Sequence, residues 1–143
     1  MKIVAASALF ILLCAPAVRA DSGLESFISS LNVRAEADLG KFKAQLSAQF
    51  GVPGPEVEVL LRSVDRPADA YLCLRSAEIM KLPTDMVVRE YRVSKEKGWG
   101  VIAKNLGIKP GSAAFHALKS GNVAHDSAGN GARESAKVKS HKR

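Results

Sequence analysis

Leu39-Gly40-Lys41-Phe42-Lys43-Ala44-Gln45-Leu46-Ser47-Ala48-Gln49-Phe50-Gly51-Val52-Pro53-Gly54-Pro55 carries the two signals on which the fold depends. Leu39, Phe42, Leu46 and Phe50 recur at steps of three and four residues, one apolar stripe on an amphipathic helix that the spacing begins near Arg34. Gly51 ends that helix, and Pro53 and Pro55 forbid its continuation because proline has no amide hydrogen to donate. A helix stopped by glycine and proline is the unit that repeats along the chain.

Downstream, Val57, Leu60, Leu61 and Val64 give a second helix before Asp65-Arg66-Pro67 interrupts. Pro67 suits the first turn of a third helix, which carries Ala70, Cys73, Leu74, Ala77 and Met80 on its stripe. Leu82-Pro83-Thr84-Asp85 opens a fourth, capped at Thr84 or its neighbour, with Met86, Val87 and Tyr91 inward and Arg89, Arg92 and Lys95 in solvent. A fifth carries Trp99, Ile102, Ala103 and Leu106. Gly107 supplies its left-handed stop, Ile108 packs back, and Pro110 follows. Ser112 caps a last short helix with Phe115 and Leu118. Upstream, Leu24, Phe27, Ile28 and Leu31 are spaced for a helix but set among Ser and Gly, so residues 21–32 read as a weakly helical segment. No stretch keeps a period of two. The expectation is an all-α fold: a small orthogonal bundle of about five to six short helices over residues 33–119.

The two ends read differently. Lys2 followed by the uncharged apolar run Ile3 to Cys14, then Ala15-Pro16-Ala17-Val18-Arg19-Ala20, has the three parts of a cleavable signal peptide. The run is too short to span a bilayer and Pro16 breaks it, so residues 1–20 are expected to be removed and the working protein to begin near Asp21, with no transmembrane segment left. Lipid attachment at Cys14 is disfavoured because Leu13, immediately before it, is not small. At the other end, residues 120–143 are Gly, Asn, Ser, Ala and Lys with few large apolar side chains, and read as a disordered basic tail.

Removal of the leader changes the charge. The whole chain has 21 Lys and Arg against 14 Asp and Glu, a net of +7; losing Lys2 and Arg19 lowers this to +5. The tail holds five cations against Asp126 and Glu134, a net of +3, so the body carries only +2. The leader also takes Cys14, leaving Cys73 alone and excluding an internal disulfide. Cys73 lies in Tyr71-Leu72-Cys73-Leu74, the setting of a small buried hydrophobe; pairing between chains or a reactive thiol are the alternatives.

The densest pattern is Lys97-Gly98-Trp99-Gly100-Val101-Ile102-Ala103-Lys104-Asn105-Leu106-Gly107-Ile108-Lys109-Pro110-Gly111-Ser112, then Phe115-His116-Ala117-Leu118-Lys119. It resembles the C-terminal motif of a family of small, exported, uncharacterised helical proteins of Gram-negative bacteria. Ala37-Asp38-Leu39-Gly40, Leu46 to Val52 and Pro67-Ala68-Asp69-Ala70 fit the same resemblance, which covers most of residues 31–120. It implies an exported helical protein and no mechanism.

The same segment, residues 98–119, also looks like a helix-turn-helix, and an isoelectric point near 9.7 suits phosphate contact. Against DNA binding, Pro110-Gly111 shifts Phe115 and Leu118 out of register, the second helix offers only His116 and Lys119, and an exported protein does not meet the chromosome. Trp99 between Gly98 and Gly100 is either the anchor of the fifth helix, the favoured reading, or a ring that a ligand can approach closely. The candidate partner-binding residues are therefore Trp99, Lys97, Lys104, Lys109, His116 and Lys119.

Catalysis has little to build on. His116, His125 and His141 have no metal-site spacing, no Ser sits in a Gly-x-Ser-x-Gly elbow, and Glu56 with Glu58 and Asp65 with Asp69 lie near Arg62 and Arg66 as surface ion pairs do. The sequence thus points to no catalytic, metal or cofactor site. It favours a periplasmic or secreted, non-enzymatic protein that binds a macromolecular partner, an anionic envelope component fitting its charge. A nucleic-acid-binding module is the alternative.

Overall fold

The computed structural model describes residues 21–121; the expected signal peptide (residues 1–20) and the expected disordered tail beyond Gly121 lie outside them. The described chain is all-α: α1 (Ser22–Ala37), α2 (Leu39–Phe50), α3 (Gly54–Ser63), α4 (Pro67–Met80), α5 (Thr84–Ser94), a 3₁₀ turn (Lys95–Lys97), α6 (Trp99–Asn105) and α7 (Ala113–Ser120). The segment expected to be weakly helical is a full helix that runs past residue 32 to Ala37. Asp21 caps it, its carboxylate accepting the Leu24 N–H at 2.9 Å. The expected boundary near Arg34 is displaced to Asp38, which stands in extended backbone between α1 and α2 and caps α2 through the Lys41 N–H.

α4 is the centre. Ala68 to Leu74 are buried without a break, so the first two turns of this helix are enclosed on every side and other elements wrap it. α1, α2 and α3 cover one flank, α5 the other, and α7 packs on α4 and α1. Tyr71 shows the fit: its ring lies edge-on to Phe27 of α1 and Phe50 of α2, each at 5.6 Å, and its hydroxyl donates to the Gly121 carbonyl at 3.0 Å. A side chain at 121 would run into that hydroxyl, which is why glycine stands there. Asn32 of α1 accepts the Ala68 N–H at 2.9 Å, filling an orphan donor at the start of α4 from a neighbouring helix.

Helix ends follow the local chemistry. Gly107 has φ of +94°, and the Ile108 N–H returns to the Ala103 carbonyl at 2.8 Å with Ile108 fully buried, a Schellman stop. α4 ends in the same way, but with Lys81 at φ of +55° where glycine would be unstrained. One expectation is narrowed and two are corrected. Thr84 makes no capping bond, since Pro83 holds the cap position of α5. Met86 faces outward rather than in, because the inner face of α5 is filled by Val87, Tyr91 and Ser94. Leu39, at the very start of α2, overhangs the core edge and is half exposed.

Candidate functional site

The chemistry-bearing residues sort into a buried hub and an exposed flank. Asp69 is the hub. It was expected to pair at the surface with the neighbouring arginines; it does pair with Arg66 Nε at 3.5 Å, but from inside, being 1% exposed at the third position of α4. Its Oδ1 accepts Trp99 Nε1–H at 2.8 Å, and its Oδ2 accepts the Tyr91 hydroxyl at 2.9 Å and the Arg66 backbone N–H at 3.1 Å. One carboxylate thereby ties the first turn of α4 to α5 and α6. The arrangement follows from burial: an ionised carboxylate inside a core must collect donors, and α4 aims its positive N-terminal end at this point. Tyr91 also accepts the Asp65 N–H at 3.1 Å, and burial, ahead of the Asp69 charge, pushes its hydroxyl above the ordinary tyrosine range. Asp65, by contrast, is exposed and pairs with Lys95 at 2.8 Å; that ammonium holds its carboxyl below the usual value.

Trp99 is therefore inside, 2% exposed and hydrogen-bonded, so its indole presents no face to solvent. Gly98 takes φ of +85° between the 3₁₀ turn and α6, and Gly100 leaves open space above the helix. Lys119 is likewise committed internally: its ammonium bridges both carboxylate oxygens of Asp21 at 3.0 Å and lies 5.0 Å from the Phe115 ring centroid. Lys97, Lys104, Lys109 and His116 are exposed. His116 stands on α7, and the three lysines on the turn before α6, on α6 and on the loop after it. The structure thus sorts the six candidates into one interior anchor, Trp99, one half-buried ion-pair partner, Lys119, and four surface groups.

The helix-turn-helix reading meets a different packing. α6 is seated on α5 and the 3₁₀ turn, whereas α7 is seated on α4 and α1. With Lys119 spent on Asp21, α7 has His116 alone to offer a base or phosphate.

One surface feature escaped the sequence reading. Leu82, Met86, Arg89, Glu90 and Val93 line an open groove against Asn105 and Leu106, with a volume of about 380 Å³. Met86 is 48% exposed and Val93 80%. Met86, Arg89 and Val93 succeed one another at three- and four-residue steps; Arg89 was expected in solvent, whereas Met86 was expected inward. Glu90 closes the groove by accepting Asn105 Nδ2–H at 2.7 Å. Ser94 and Asn105, ahead of the nearby Lys97 ammonium, hold its carboxyl below the ordinary value.

Charge divides along the same line. Residues 81–109 hold seven Lys and Arg against three Asp and Glu, a net of +4, whereas residues 21–80 hold six against nine, a net of −3. Among the described residues no carboxylate pairs with Arg92, Lys104 or Lys109, and no group of His, Cys, Asp and Glu could hold a metal ion. Cys73 is fully buried in α4, and burial pushes its thiol far above the ordinary range. No helix among the described residues is long and apolar enough to cross a membrane. The chain matches no protein-family model, no curated protein and no solved structure.

Proposed function

We propose that the chain is an exported, periplasmic or secreted helical protein that acts without catalysis, by binding an anionic macromolecular component of the cell envelope. The observation that carries the reading is the separation of its charges. Asp69 is buried among its donors, and Asp21 and Asp65 pair with Lys119 and Lys95, while Lys97, Lys104 and Lys109 stand exposed on the α5–α6 side. An acid–base or nucleophilic site needs groups left free to meet substrate, and these carboxylates and Cys73 are tied up or buried. A cationic flank needs only a partner of opposite charge. The signal-peptide pattern of residues 1–20 supplies the address, and the basic tail adds a second weak attraction.

Fractionation of cells expressing the chain with a C-terminal epitope tag tests the address. A shortened product in the periplasm or medium is expected; a full-length cytosolic product refutes it. Capture of envelope material by the processed protein, with loss of binding on raising the salt, tests the partner class.

A further inference from the structure

The α5–α6 face combines two properties that are unremarkable separately. Its apolar side chains protrude: Val93 and Met86 stand out of the helix instead of lining a deep slot, with Leu82 and Leu106 on the floor between the helices. Exposed cations stand on the same elements, Arg92 on α5, Lys97 on the turn and Lys104 on α6, the first and last with no ion-pair partner among the described residues. In the groove itself Arg89 is paired with Asp85 and Glu90 bonds Asn105. A folded protein partner would have to supply a cavity for each protruding side chain. A bilayer surface accepts them at any lateral position, and long cationic side chains keep their heads among the phosphates while their stems lie along the apolar zone.

We infer that this face docks on a bilayer surface bearing anionic lipid headgroups, Met86 and Val93 entering the headgroup boundary and Arg92, Lys97 and Lys104 meeting lipid phosphates; this deepens the envelope-binding reading and rests on it. The charge complementarity is local, since residues 81–109 hold a net of +4 whereas residues 21–80 hold a net of −3. One weak signal gives marginal, reversible attachment, and stable attachment takes two. The chain has the second in its basic tail, whose net charge is +3. The expected behaviour is peripheral association that salt reverses.

A chain beginning at Asp21 retains every helix of the fold together with its first cap, so residues 21–143 are the form to use. The probes are sedimenting vesicles of phosphatidylglycerol mixed with phosphatidylcholine, and vesicles of phosphatidylcholine alone. Binding to the first and not to the second is expected. Each Lys or Arg near an anionic surface strengthens binding about fivefold, so R92Q/K97Q/K104Q should weaken it on the order of a hundredfold. M86S/V93S, which leaves every charge in place, should weaken it about tenfold. Both variants alter exposed positions, and unchanged circular dichroism and Trp99 emission verify the fold. Equal binding to neutral vesicles, or anionic binding that neither variant changes, overturns the proposal. Soluble polyglutamate bound as tightly as vesicles, with the same dependence on both variants, overturns it in favour of an acidic protein partner. If envelope protein is captured by the processed chain while vesicles are ignored, the envelope-binding reading stands and the lipid surface falls. A full-length cytosolic product removes that reading whatever the vesicles show.

Discussion

Replacing Asp69 by alanine strips three close donors of one acceptor and breaks the longer pair with Arg66 Nε at 3.5 Å. Trp99 Nε1–H at 2.8 Å and the Tyr91 hydroxyl at 2.9 Å both lie in the interior, and the Arg66 N–H at 3.1 Å is the turn donor at the start of α4. Each buried donor left without a partner costs roughly 1–3 kcal/mol, and bonds to a charged acceptor stand at the upper end of that range. Relaxation and shared effects keep the sum below simple addition, giving about 3–5 kcal/mol for Asp69→Ala. A domain of this size has about 5–15 kcal/mol in all, so the variant should be close to unfolding. Asn at the same position keeps one oxygen for one donor but turns an amide toward the others, with an expected loss of about 2–3 kcal/mol. Urea unfolding measures both by the emission of Trp99, the single tryptophan of the chain, and by circular dichroism. With a slope of about 2 kcal/mol per molar, Asp69→Ala should lower the midpoint by roughly 2 M. A double-mutant cycle with Trp99→Phe, read by circular dichroism, should return a coupling of about 1.5–3 kcal/mol. A loss below about 1 kcal/mol, or no coupling to position 99, would refute the claim that this carboxylate joins α4, α5 and α6.

Lys81→Gly relieves a left-handed residue at the end of α4 and should raise the melting temperature by about 4 °C, from roughly 0.5–1 kcal/mol; a fall would show that the lysine side chain is needed there. Gly107→Ala should do the reverse, by about 1–2 kcal/mol, since its φ is +94° and a methyl there would sit 3.1 Å from the Met80 terminal carbon. Cys73 should resist thiol reagents in the native protein and react at the rate of unfolding; fast labelling without denaturant would show the interior of α4 to be open. Acid should weaken the domain through Asp21, which the Leu24 N–H and then the Lys119 ammonium hold below its ordinary 3.8. Protons bind the unfolded carboxylate first, so its contribution is complete above 3.8 and is lost as pH falls through the lowered folded value. Lys119→Met should flatten that part of the acid profile, and an unaltered profile would count against the pair.

The helices were legible because their signals are local. Gly107, Ile108 and Pro110 announce a stop that needs only neighbouring atoms, and the stripe of Phe42, Leu46 and Phe50 is visible from spacing alone. Asp38 was passed over because one extended residue between two helical runs interrupts no apolar pattern. Asp69 was misplaced for a deeper reason. Its position two residues after Pro67 fits an acid reaching back to the Arg66 N–H, a signal the sequence contained. That Tyr91 and Trp99 would bring their donors to it depends on how α5 and α6 lie across α4, some 22 and 30 residues away. Met86 shows the matching limit on the surface: an apolar residue at helical spacing fits either face until the inner one is seen to be full.

The seat of α1 sets an order of events. Leu24, Ile28 and Leu31 find their cover on α4 and α7, both far downstream, and the Asp21–Lys119 pair joins positions 98 residues apart. A chain leaving a ribosome N-terminus first can therefore seat its leading helix in part once α4 has emerged, and fully only after α7. The bundle closes last at the corner where it began.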